Sequence, residues 1–144
     1  MKIAIYSSAY FVRESYRIKN ELEKRGHVVF MYPDKINIGN KTIEVIEFYT
    51  MRKLTLNEKI LQIKRHLMKA HIKNIEKSDA ILVLNFDKDV TGYIGGNTFL
   101  EMAIAYYLKK KIYLWKNPSK DLPYYEEILA MKPTIIDGDL EKIV

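Results

Sequence analysis

The chain has 144 residues, 48% hydrophobic and 29% charged, a globular composition with enough length to bury one core. No apolar run approaches the roughly 20 residues a membrane span needs, and the absence of cysteine excludes disulfides and thiolate metal sites. The net charge of +6 and pI near 9.3 favour phosphate-bearing ligands, but the lysines are scattered among acids with Lys109-Lys110-Lys111 as the only tight run, which argues against a nucleic-acid binder.

The chain opens MKIAIYSSAYF. Its apolar stretch has only strand length and runs straight into charged, helix-patterned sequence, so it reads as a first strand, KIAIY, rather than a signal peptide. Together with the missing cysteines this fits a cytoplasmic protein. SSAY is expected to be a loop. Apolar or aromatic groups at Val12, Tyr16, Ile18 and Leu22 predict a helix to about Lys24, closed by Arg25-Gly26. HVVFMY is a second strand ending at Pro33-Asp34.

Residues 34–54 carry a turn at Gly39-Asn40 and a β-branched run, consistent with a short strand pair or a flap over a site. T-L-N-E from Thr55 to Glu58 has the form of a capping box and opens a long amphipathic helix to about Lys77, with Ile60, Ile63, Leu67, Ile72 and Ile75 as its stripe. AILVLNF after Asp79 is the continuous apolar run of a strand covered on both faces. There follow the loop DKDVTGYIGGN, a helix, the strand KIYLW, the short helix PYYEEILAM and a last strand, PTIID. Lys109-Lys110-Lys111 suits a helix C-terminus, where cations complement the dipole. The order predicts an α/β fold: a single domain over residues 1–144, with a doubly wound, mostly parallel five-stranded sheet of Rossmann or flavodoxin-like kind and helices on both faces.

In such a sheet the ligand site lies beyond the carboxyl ends of strands where the order reverses. The two distinctive loops, SSAYF and NFDKDVTGYIGGNT, are expected to meet there. GYIGGNT is neither a P-loop nor a dinucleotide fingerprint. Gly95 and Gly96 would let a ligand approach backbone N–H groups at a helix N-terminus. Glu101 is the lone acid in FLEMAIAYYL and admits two readings. With Thr98 as N-cap it completes a capping box, whereas with Asn97 as N-cap its carboxylate is free to face the cleft. The apolar residues around it argue for the cleft.

SDAILVLNFD together with GYIGGNTFLEMAIAYYLKKKIYLW resembles the nucleoside 2-deoxyribosyltransferase family and its nucleotide N-glycosidase relatives. The resemblance is good over residues 79–115, fair over 1–30 and poor over 34–58. It implies that Glu101 is a nucleophile attacking the anomeric carbon, and that a second base or water then releases the sugar. It implies further that Tyr6, Ser7 and Ser8, with Gly95, Gly96, Asn97 and Thr98, line the substrate pocket. Asp87 or Asp89 would match the family's acidic loop residue, Asp89 being the candidate acid. Arg13 would meet a 5′-phosphate. His71 departs from the pattern: it stands where the family often has an Asp, as either a proton-handling group or a core histidine. The implied partner is a small-molecule nucleoside or nucleotide, with no metal or cofactor, in a homodimer or larger homo-oligomer. The alternative is a non-catalytic nucleotide or nucleotide-sugar binding domain on the same scaffold.

Overall fold

The computed structural model describes residues 1–144. Strand β1 (Lys2–Tyr6) is followed by helix α1 (Val12–Lys24) and strand β2 (Val28–Met31). A hairpin of β3 (Lys35–Ile38) and β4 (Lys41–Glu44) leads into α2 (Val45–Leu54), and then come α3 (Glu58–Lys77) and β5 (Ala80–Val83). The chain continues through α4 (Gly96–Tyr107), β6 (Lys111–Leu114), α5 (Tyr125–Ala130) and β7 (Thr134–Ile135).

Five strands form one parallel sheet in the order β2-β1-β5-β6-β7. This is the doubly wound arrangement expected from the sequence, in its flavodoxin-like order, and it reverses between β1 and β5. Both faces are covered because successive strand residues point to opposite sides. Ile3, Ile5, Leu82 and Leu84 pack with Ile18 and Leu22 of α1 and with Ile136, Leu140 and Ile143 of the C-terminal segment. Ala4, Tyr6, Ile81 and Val83 pack instead with Ile75 of α3, Met102 and Ala105 of α4, and Ile128 of α5. The same alternation turns Tyr6, the last residue of β1, toward α3 and α4. No helix is long and apolar enough to cross a membrane.

The stretch 34–54 contains a strand pair, one of the two readings its sequence allowed, antiparallel around Gly39. It also contains a helix that the β-branched run concealed. In α2 the Glu44 N–H donates to Glu47 Oε2 at 3.3 Å, while Val45 and Phe48 are buried against the hairpin together with Tyr32, Ile36 and Ile60. That burial overrides the strand propensity of Val45 and Ile46. The start of α3 also differs from the capping-box reading. Thr55 ends α2, and Asn57 is the N-cap of α3, its Oδ1 accepting from the Ile60 N–H at 3.0 Å. Asn57→Ala is expected to destabilise the protein by about 1 kcal/mol in urea unfolding. Thr55→Ala, which removes no cap, should move the midpoint less.

At the end of α1 the expectation agrees with the structure. Gly26 follows α1 at φ +89°, a conformation glycine adopts without a Cβ penalty. The lysine run differs from its reading: Lys110 follows α4 but donates to the carbonyls of Glu76 (3.1 Å) and Ser78 (2.7 Å) at the C-terminal end of another helix, α3.

Candidate active site

Beyond the carboxyl ends of β1 and β5, at the reversal of strand order, lies a cavity of about 890 Å³. Its walls come from six parts of the chain. The end of β1 and the loop after it supply Tyr6, Ser7 and Ser8, Tyr32 follows β2, and α2 supplies Tyr49 and Arg52. His71 comes from α3, Lys88 and Tyr93 from the loop after β5, and Gly95 to Glu101 from the start of α4.

Helix α4 begins earlier than the sequence suggested. Gly95 is its N-cap and Gly96 its first residue, and no side chain caps it. Neither Asn97 nor Thr98 is the cap, so Glu101 lies in the second turn, outside capping-box position. The early start leaves the first-turn N–H groups at Gly96, Asn97 and Thr98 without intrahelical acceptors, on a wall of the cavity. The loop leading to α4 is tightly set. Gly92 has φ +69°, and a Cβ there would meet the Asn117 carbonyl oxygen at 2.2 Å. Only glycine fits.

Glu101 and His71 meet across the α3–α4 interface. His71 Nδ1 is 2.5 Å from Glu101 Oε1, and the two side chains retain only 12% and 11% of their exposure. The other ring nitrogen, Nε2, is buried and has no partner. This asymmetry assigns the tautomer. With the proton on Nδ1, the ring donates to the carboxylate and leaves only an unfilled acceptor at Nε2. An Nε2–H, by contrast, would be a buried donor with nowhere to go, the costlier omission. The backbone beneath is anchored as well, because Tyr6 OH donates to the His71 carbonyl at 2.8 Å.

Burial raises the Glu101 pKa above the usual carboxyl value, while the His71 hydrogen bond and, more weakly, Lys64 pull it down. The same environment acts on its neighbours. Burial, and secondarily the Glu101 charge, raise the Tyr6 hydroxyl pKa. Burial pushes Tyr49 up to about 12, with Glu101 adding to the shift. Lys64 is brought down to about 8, chiefly by burial and then by Arg52. Its ammonium donates to Tyr49 OH at 3.1 Å.

The structure brings most of the sequence candidates together but separates others. Ser7 reaches the cavity with its Oγ already engaged by Ser15 Oγ (2.9 Å) and Tyr32 OH (2.7 Å), which fixes the loop after β1. Ser8 Oγ accepts from the Lys88 ammonium at 3.3 Å. Three candidates lie outside the cavity lining. Arg13 is exposed on α1 and does not reach the pocket. Asp87 turns back to accept from the Gly92 N–H at 2.9 Å and from Lys116 Nζ at 3.0 Å, and these contacts lower its pKa. Asp89 is an exposed loop residue at φ +61°. Tyr49, Arg52, Lys64 and Lys88 were not singled out from the sequence. Lys64 and His71 share one face of α3, being two turns apart, a spacing that was visible in the sequence.

No protein-family model matches the chain, and no curated protein matches it. Among solved structures the chain is similar to the CMP N-glycosidase BcmB of Clostridium botulinum, with 13% identity over 94% of this chain and 85% of that one and a TM-score of 0.47. It is also similar to a 2-deoxyribosyltransferase of the psychrotolerant bacterium Bacillus psychrosaccharolyticus, with 15% identity over 94% of this chain and 98% of that one and a TM-score of 0.46.

Proposed function

We propose that this chain is an N-glycosyl transferase or N-glycosidase acting on a nucleoside or nucleoside monophosphate, with Glu101 as nucleophile. The observation that carries the reading is the Glu101–His71 pair: a buried carboxylate on the wall of the strand-switch cavity, hydrogen-bonded and free of any capping role. Supporting it is the resemblance of residues 79–115 to the deoxyribosyltransferase family.

In this mechanism the Glu101 carboxylate attacks the anomeric carbon. The bond to the base breaks, its electron pair leaves on the base nitrogen, and the base takes a proton from water in the open cavity. The product is a glycosyl ester of Glu101. Water or a second base then attacks the same carbon from the vacated side, its proton passing to the hydroxide left by the first step, while the ester bond breaks and the carboxylate is restored. Each step inverts, so the overall reaction retains configuration. His71 keeps its Nδ1–H on the carboxylate, which favours the ionised, nucleophilic form against desolvation. With Nε2 sealed from the cavity, His71 is a positioning residue rather than the acid that protonates the base. Neither half-reaction requires a metal or cofactor.

The test is incubation with a panel of deoxynucleosides and their 5′-monophosphates, with free base read by chromatography. Base release is expected, with transfer to added acceptor base if the protein is a transferase. Ligand binding with no base released over hours would refute catalysis and leave a nucleotide-binding domain.

A further inference from the structure

The charge on the cavity walls is unequal. Three cations line it, Arg52, Lys53 and Lys88, against the single carboxylate of Glu101, and none of the three is in an ion pair. Two of them are held in place without an acid. The Lys88 ammonium sits 5.6 Å from the centre of the Tyr10 ring and 5.3 Å from that of Tyr93, with Ser8 Oγ as its hydrogen-bond acceptor. The Arg52 guanidinium lies 5.0 Å from the centre of the Tyr49 ring. Aromatic faces orient a cation while leaving its donors free, as neutralising carboxylates would not. The uncapped first turn of α4 adds N–H donors on another wall. Like charges gathered in a concavity repel one another, and an anionic ligand removes that cost while forming charge-assisted hydrogen bonds.

We propose that Arg52, Lys53 and Lys88 form a phosphomonoester subsite, so that the substrate is a nucleoside monophosphate in preference to a free nucleoside. The inference rests on the glycosyl-transfer reading of the same cavity and specifies the substrate within it. It also relocates the phosphate contact from Arg13, which is outside the cavity, to α2 and the loop after β5.

The experiment compares kcat/KM for a deoxynucleoside 5′-monophosphate and its parent nucleoside, in the wild type and in the Arg52→Gln/Lys53→Gln and Lys88→Gln variants. Circular dichroism checks that each variant is folded. The wild type is expected to prefer the monophosphate by about 100-fold, and each variant to reduce that preference by about 10-fold through KM. Orthophosphate should compete with the monophosphate, and added salt should weaken the preference. Equal turnover of the two substrates by the wild type, or an unchanged preference in both variants, would overturn the subsite while leaving the glycosyl-transfer reading intact. If neither substrate releases base, that reading fails, and calorimetric titration with the same two compounds decides the subsite. Tighter binding of the monophosphate, lost in the variants, supports it, and equal affinities refute it.

Discussion

Glu101→Gln is expected to lower base release by on the order of 10⁴-fold, about 5 kcal/mol of transition-state stabilisation, without lowering the melting temperature at neutral pH. The two halves of this result have one cause. The carboxylate is kept in a nearly dry place on the cavity wall, and that placement raises its native pKa above the unfolded value. A group raised in this way favours the folded state most fully below its unfolded pKa, and loses that contribution as pH rises through the native value. At neutral pH the wild type therefore carries the cost of the buried charge. The Gln variant, whose amide can still accept from His71 Nδ1–H, does not. Its melting temperature should equal or exceed that of the wild type at pH 7, with the advantage shrinking as the solution is acidified. If Glu101 were a helix cap, the same substitution would instead cost about 1 kcal/mol of stability. Full turnover in a folded Glu101→Gln or Glu101→Ala protein would sink the nucleophile assignment.

His71→Phe should lower kcat/KM by roughly 100-fold and displace the acidic limb of its pH profile upward. The ring donates one hydrogen bond, and that bond is among the influences holding the Glu101 pKa down. Without it, desolvation acts with less opposition, so a higher pH is needed to ionise the carboxyl. His71→Asn, whose amide N–H can take the place of Nδ1–H, is expected to recover part of the rate and part of the shift. Loss of rate with an unmoved acidic limb in His71→Phe would show that the histidine fills space and does not tune the carboxylate.

The legible part of this protein was the part set by neighbours in the chain. KIAIY, AILVLNF and KIYLW announce strands because every residue in turn must be apolar when a sheet is covered on both faces. The alternation that sends Ile3 and Ile5 to one side and Ala4 and Tyr6 to the other follows from the strand period alone. The hairpin around Gly39 and the helix ending at Gly26 were equally local. The helix after the hairpin was not, because Val45 and Ile46 favour a strand until Phe48 is seen buried beneath Tyr32 and Ile60. Nor was the beginning of α4, where Asn97 and Thr98 were the two candidate caps and Gly95 is the residue that fills the place.

At the site, the sequence by itself determined that one carboxylate, Glu101, would sit among apolar residues near a helix start beside the strand switch. Only the tertiary structure decided what that carboxylate meets. His71 reaches it from another helix, Asp87 and Asp89 are exposed and outside the cavity lining, and Arg13 stays on the outer surface while Arg52, Lys53 and Lys88 line the cavity. Periodicity fixes the face of an element on which a side chain lies. Which two faces touch depends on how helices from distant parts of the chain pack over one sheet, and that packing is set by the whole core at once.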